Sequence, residues 1–110
     1  MAKGGWTYIM ASKPRGMLYI GVTAYLAQRV DQHRRDVGSA YCCRYGIKTL
    51  VLAEPHDEIE YAIAREKALK AWKREWKIEL IESVNPEWKD LFDQIAWWLE
   101  TPAFAGVTGF

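Results

Sequence analysis

Apolar and polar positions follow two different periods along this chain. Trp6 to Met10 and Met17 to Val22 are short apolar or β-branched runs, the pattern of strands. Ser12, Lys13, Pro14, Arg15 and Gly16 lie between them as a turn-rich linker, so the two runs predict a β-hairpin with a longer loop. If Met10 pairs with Met17, Tyr8 falls opposite Tyr19 and both rings project to one face. The period then lengthens. Leu26, Val30, His33 and Val37 predict a helix from Ala24 to about Val37, with Thr23 as its N-cap and Gly38 ending it. Tyr41 to Gly46 reads as a loop, and Lys48 to Ala53 as a third, mostly buried strand.

Asp57 with Glu60 makes a capping-box-like start for a long helical pattern. It runs to about Trp72 and resumes to about Glu82, with a break expected near Trp72. Ile59, Ile63, Glu66 and Leu69 share one stripe. Asn85 and Pro86 suit the cap and first position of a last helix, reaching Leu99. Residues 1–100 therefore read as one domain, and 101–110, with Pro, Gly and Ala, as a loose tail.

The chain has 110 residues, half of them hydrophobic and 14% aromatic, enough for a core without disulfides or a structural metal. No apolar run approaches a membrane span and Met1 to Trp6 lacks a signal pattern, so a cytoplasmic location is expected. Net charge is +1, but it is unevenly spread. Residues 1–50 carry a net of +6 and residues 51–110 a net of −5. Such asymmetry fits a nucleic-acid face on the first half, or an ordinary solvated surface. The adjacent Cys42 and Cys43 read as reduced thiols. His56, in the turn-like Glu54-Pro55-His56-Asp57, reads as a surface residue without a partner.

Several residues could carry chemistry, each with a plainer alternative. Glu66 interrupts an apolar stripe. An anion there needs a partner, either a cation such as Lys70 or Arg65, or a hard divalent ion. Arg29, four residues before His33 on the same helix, could hold a phosphate with its planar fork, or pair with Asp31. His33 could accept a proton near neutrality, or sit at the core edge with a satisfied hydrogen bond. Tyr8 and Tyr19 could place or deprotonate a water, or simply pack. Gly21, on the face of Tyr19, leaves room for close approach. Trp72 and Trp76, among cations, could stack bases, but a core seam is the stronger reading.

In this order, Tyr8, Tyr19-Ile20-Gly21, Arg29, His33 and Glu66 resemble the GIY-YIG nuclease superfamily, and most of all the small bacterial proteins that are little more than that domain. The resemblance covers roughly Gly5 to Leu91. The glycine of the first triplet is replaced, and Tyr41-Cys42-Cys43-Arg44 departs from the subgroup. Asn85 falls near a late Asn motif. The implied fold is α/β (α+β), a three-stranded antiparallel sheet flanked by helices. The implied activity is Mg²⁺- or Mn²⁺-dependent cleavage of DNA, with the ion weakly held by Glu66 and catalysis by Tyr8, Tyr19, Arg29, His33 and Glu66. Lys13, Arg15, Arg34, Arg44 and Lys70 are the candidate DNA-backbone contacts. In such proteins specificity usually comes from attached domains, so a partner protein could supply it here.

The rival readings are a non-catalytic nucleic-acid-binding module of the same fold and a protein-interaction domain. All five catalytic candidates are expected on one concave surface. A Glu66 on the opposite side of the sheet from Tyr8 and Tyr19 would end the catalytic reading.

Overall fold

The computed structural model describes residues 4–95. Three strands, β1 (Gly5–Ala11), β2 (Leu18–Thr23) and β3 (Thr49–His56), form an antiparallel sheet in the order β2-β1-β3. β1 is central and buried along its whole length, which explains its nearly unbroken apolar run. Both faces of the sheet are covered. Trp6, Tyr8, Met10 and Leu50 pack with Leu26, Ala27 and Val30 of α1 (Leu26–Arg34) and with Cys42 of α2 (Ala40–Tyr45). On the opposite face, Ile9, Ala11, Ile20 and Leu52 pack with Leu69 of α3 (Ile59–Ala71) and Ile81 of α4 (Arg74–Val84). Leu69 and Ile81 are fully buried, each contributing about 1.5–3 kcal/mol of apolar burial.

The hairpin register differs from the expected one. Met10 pairs with Tyr19, and Tyr8 with Gly21. Met17 belongs to the loop, where its N–H donates to Ser12 Oγ at 2.9 Å and its carbonyl accepts from Ser12 N–H at 3.0 Å. The offset is two residues. Because strand side chains alternate with a period of two, Tyr8 and Tyr19 still share a face.

Other elements depart from the sequence reading for local reasons. Helix α1 is shorter than expected. Thr23 Oγ1 accepts the Tyr25 N–H in a turn before it, and the chain leaves the helix through Asp36 at φ 62°. Val37 is therefore 71% exposed rather than on the stripe. The expected loop at Tyr41–Gly46 is the short helix α2, capped by Ser39 Oγ accepting Cys42 N–H at 3.3 Å and closed by Gly46 at φ 64°. β3 continues through Pro55 to His56, which an outer strand tolerates. His56 is thus not partnerless: its Nε2 lies 3.3 Å from Thr7 Oγ1. The N-cap of α3 is Glu58, without a side-chain cap bond, so no Asp57–Glu60 capping box forms.

The break near Trp72 is present. Trp72 and Lys73 are extended, at ψ 151° and 150°. Trp72 packs on the second core, whereas Trp76 is 49% exposed, so the pair is not a core seam. Asn85 does not start a helix. It is buried after α4, where its amide donates to the carbonyls of Val51 (3.2 Å) and Lys89 (2.8 Å) and accepts the Lys89 N–H (3.0 Å). Residues beyond it turn and form a short 3₁₀ helix at Leu91–Gln94. The remainder of the expected last helix and the tail at 101–110 lie outside the described residues. No helix among the described residues is long and apolar enough to cross a membrane.

Candidate active site

The β1–β2 hairpin and α1 bring four side chains together. The Tyr8 hydroxyl lies 3.1 Å from His33 Nε2, and both residues are only 1% exposed. Tyr19 stands beside them, its ring centroid 6.3 Å from that of Tyr8 and 5.2 Å from the His33 ring, edge-on to the latter. Gly21 makes this possible. A Cβ built there would fall 2.5 Å from both Cζ and the hydroxyl oxygen of Tyr8. The room expected at Gly21 is filled by the Tyr8 phenol.

Arg29 completes the group. Its guanidinium interacts favourably with the neighbouring Tyr8 and Tyr19 hydroxyls, and its Nη1 donates to Gln32 Oε1 at 3.2 Å. Asp31 is taken by Arg35. Arg29 therefore has no carboxylate counter-charge among the described residues. A cation beside neutral phenols in a partly buried place favours an incoming anion.

The same surroundings set the proton states. Burial pushes the Tyr8 phenol well above its usual range, outweighing the opposing hydrogen bond from Arg29. The His33 imidazole is pushed down, first by burial and then by the Arg29 charge. His33 is thus neutral at pH 7. Its Nδ1 is buried with no hydrogen-bond partner, and lies where a Cβ on Gly38 would approach to 3.1 Å. Tyr8 and His33 share one hydrogen bond through Nε2, whose direction follows the imidazole tautomer.

Glu66 arrives differently. Its helix, α3, covers the sheet face opposite Tyr8 and Tyr19. By face alone it would be remote from the phenols, as the sequence reading warned. Of the five residues expected on one surface, Tyr8, Tyr19, Arg29 and His33 are brought together, and Glu66 is linked to them only through Lys70 at the sheet edge. β2 is an outer strand, and a cavity of about 340 Å³ at it is lined by Leu18, Tyr19, Ile20, Tyr41, Lys70 and Lys77. Lys70 Nζ is 3.2 Å from Glu66 Oε2, so the carboxylate lies one ion pair away from the Tyr19 cavity. The Glu66 side chain is 16% exposed and that of Lys70 is 57% exposed. No group of three His, Cys, Asp or Glu able to hold a metal occurs among the described residues. A lone carboxylate balanced by a displaceable ammonium fits a hard divalent ion only as a weak site completed by water and substrate phosphate.

The candidate backbone contacts fare unequally. Lys13 is exposed in the hairpin loop. Arg15 makes a two-pronged bond to Glu82, both distances 2.9 Å, and Arg34 is paired with Asp90. Arg44 lies over the Tyr45 ring at 5.5 Å, without a carboxylate partner among the described residues. Two residues beside the site had no role in the sequence reading. Lys77 shares the Tyr19 cavity, and Tyr41 lies 6.4 Å from Tyr19, ring to ring. The Ser39 cap and Gly46 stop were the available signals that Tyr41 and Tyr45 stand one turn apart on a helix.

Paired phenols, a guanidinium without a carboxylate partner among the described residues and an imidazole thus sit together on the hairpin and first helix of an α+β domain. The GIY-YIG catalytic domain model matches residues 4–79, and the chain belongs to that family. Neither the comparison with curated proteins nor that with solved structures gives a match.

Proposed function

We propose that this chain is an endonuclease that hydrolyses phosphodiester bonds of structured or damaged DNA with Mg²⁺ or Mn²⁺. The observation that carries this reading is Arg29, which stands beside two phenols and has no carboxylate partner among the described residues. A scissile phosphate bound there would receive donors from a preorganised cation, and negative charge developing on phosphorus would be neutralised as it forms. Tyr8 and His33 are too buried to meet a water, so they act by fixing the Arg29 and Tyr19 positions. Tyr19, which lines the open cavity, is the phenol that orients the attacking water. Glu66 would hold the divalent ion by exchanging its Lys70 partner for it. When bound, the ion would supply charge stabilisation to the phosphate and the departing oxygen. A partner protein would supply target choice, and a role in DNA repair in the cytoplasm would follow from such a substrate.

The test is incubation of the purified protein with duplex, single-stranded, nicked and branched DNAs, with and without Mg²⁺ or Mn²⁺. Cleavage that needs the ion and is lost in Arg29→Ala supports the reading. No cleavage under any condition favours a second reading, a nucleic-acid-binding module. The observation on its side is that Glu66 is already neutralised by Lys70.

A further inference from the structure

We propose that the cavity at the β2 edge, with the aromatic wall beside it, is a binding site for one unpaired nucleotide next to the scissile phosphate. The substrate would then be DNA carrying a flap, bulge or single-stranded flank there. This inference rests on the nuclease reading above.

Tyr19, Tyr41 and Tyr45 form a continuous row, with ring centroids 6.4 Å and 4.9 Å apart. Tyr41 and Tyr45 are 44% and 41% exposed, so much of each large ring is offered to solvent. Helix α2 fixes them one turn apart, and Arg44 caps the row over Tyr45. The cavity beside Tyr41, about 340 Å³, is within the ~300–1,000 Å³ span of sites for small ligands. Its walls include Lys70 from α3 and Lys77 from α4. Aromatic faces with ammonium groups suit a planar base joined to phosphates. Bases in an intact duplex are already stacked and cannot use such a wall. Only an unpaired base gains from it, and it gains without regard to sequence because every base has a π-face. Tyr19 belongs both to the row and to the Arg29 cluster, which puts the unpaired nucleotide beside the bond to be cut.

The experiment measures binding by fluorescence anisotropy without divalent ions, using a fully paired duplex and the same duplex with a one-nucleotide bulge or a short flap. A 2-aminopurine at the unpaired position reports stacking. Cleavage of the same DNAs with Mg²⁺ is followed in parallel. The parent should favour the unpaired DNA by about tenfold, equal to about 1.4 kcal/mol, and quench the 2-aminopurine. Tyr41→Ala should lose most of that preference and quenching, while Tyr41→Phe retains both, which separates stacking from a hydroxyl role. Thermal unfolding of Tyr41→Ala checks that it folds, and Tyr45→Ala repeats the test if it does not. Equal binding of paired and unpaired DNA, or a preference that survives both alanine variants, overturns the proposal. So does a failure to bind any DNA. Preferential binding and quenching without cleavage would sustain the nucleotide site and sink the nuclease reading, whereas cutting of paired and unpaired DNA alike would do the reverse.

Discussion

Gly21 lies directly opposite Tyr8 in the hairpin, and the Tyr8 phenol occupies the volume that a side chain at Gly21 would fill. The glycine is therefore required by the ring across from it. That ring, in turn, anchors His33 and Arg29. A single backbone position thus couples the sheet to the chemistry.

Gly21→Ala should force the Tyr8 ring away, because a contact at 2.5 Å cannot be absorbed by a residue that is 1% exposed. The expected cost is about 1–3 kcal/mol, the range for overpacking a filled core. Urea denaturation would measure it. Phosphodiesterase activity should fall further than stability, since the displaced hydroxyl leaves both Arg29 and His33. A variant as stable and as active as the parent would remove Gly21 from this role.

Much of this arrangement was legible in the sequence, for reasons that can be named. Tyr8 and Tyr19 were placed on one face although their register was wrong by two residues, because an even slip preserves side-chain alternation. Arg29 and His33 needed only the helical period. The break at Trp72 was legible, but the exposure of Trp76 was not, since a tryptophan at helical spacing is usually covered. Asn85 fits a helix cap by composition. Its actual partners, Val51 and Lys89, include a strand far away in sequence that no local pattern encodes. The position of Glu66 was the hardest to foresee. Its stripe was only partly right, since Ile63 is exposed while Ala62 and Leu69 are buried, and no local pattern indicated that its partner Lys70 would line the cavity at the outer edge of β2.

Stability should fall on mild acidification because of His33. Its folded-state pKa lies below its ordinary value, so the unfolded chain binds a proton that the folded chain resists. Between the depressed folded pKa and the ordinary value of about 6.5, unfolding takes up protons, and stability therefore rises with pH. The contribution is present above the unfolded pKa and is lost as pH falls through the folded one. Glu82, held down to about 2 by Arg15 and the Trp88 indole, acts in the same direction only at more acid pH, below the carboxylate's ordinary 4.5. Urea midpoints at pH 7.5 and 5.5 would show the parent losing stability between them, with most of that loss absent in His33→Gln. An unchanged slope in the variant would assign the effect elsewhere.

DNA binding should be weak and strongly salt-dependent. Arg15, Arg34 and Lys70 each already hold a carboxylate, which leaves Lys13 and Arg44, of the five candidate backbone contacts, free to neutralise phosphates. Each phosphate neutralised on duplex DNA adds about −0.9 to the slope of log affinity against log salt. A few such contacts keep the affinity low, and added salt should remove most of it. Titration between low and physiological salt would check this, and tight binding that ignores salt would point to base-specific contacts instead.

Arg29 and Glu66 separate catalysis from binding most sharply. Arg29→Ala removes the cation that stands beside two phenols with no carboxylate partner among the described residues. Transition-state stabilisation should fall by about 2–4 kcal/mol, the scale for losing a preorganised donor at developing charge. Ground-state binding should fall much less, because one phosphate contact among several is lost. Glu66→Gln keeps the shape while removing the charge that would hold the divalent ion, so ion-dependent cleavage should disappear. Its stability should move by no more than about 0.5 kcal/mol, because the Lys70 partner is mostly solvated and such pairs contribute little. Parallel cleavage and binding assays on one DNA, with urea denaturation of each variant, test both statements. If both variants cut as well as the parent, the catalytic reading fails and the fold serves binding alone.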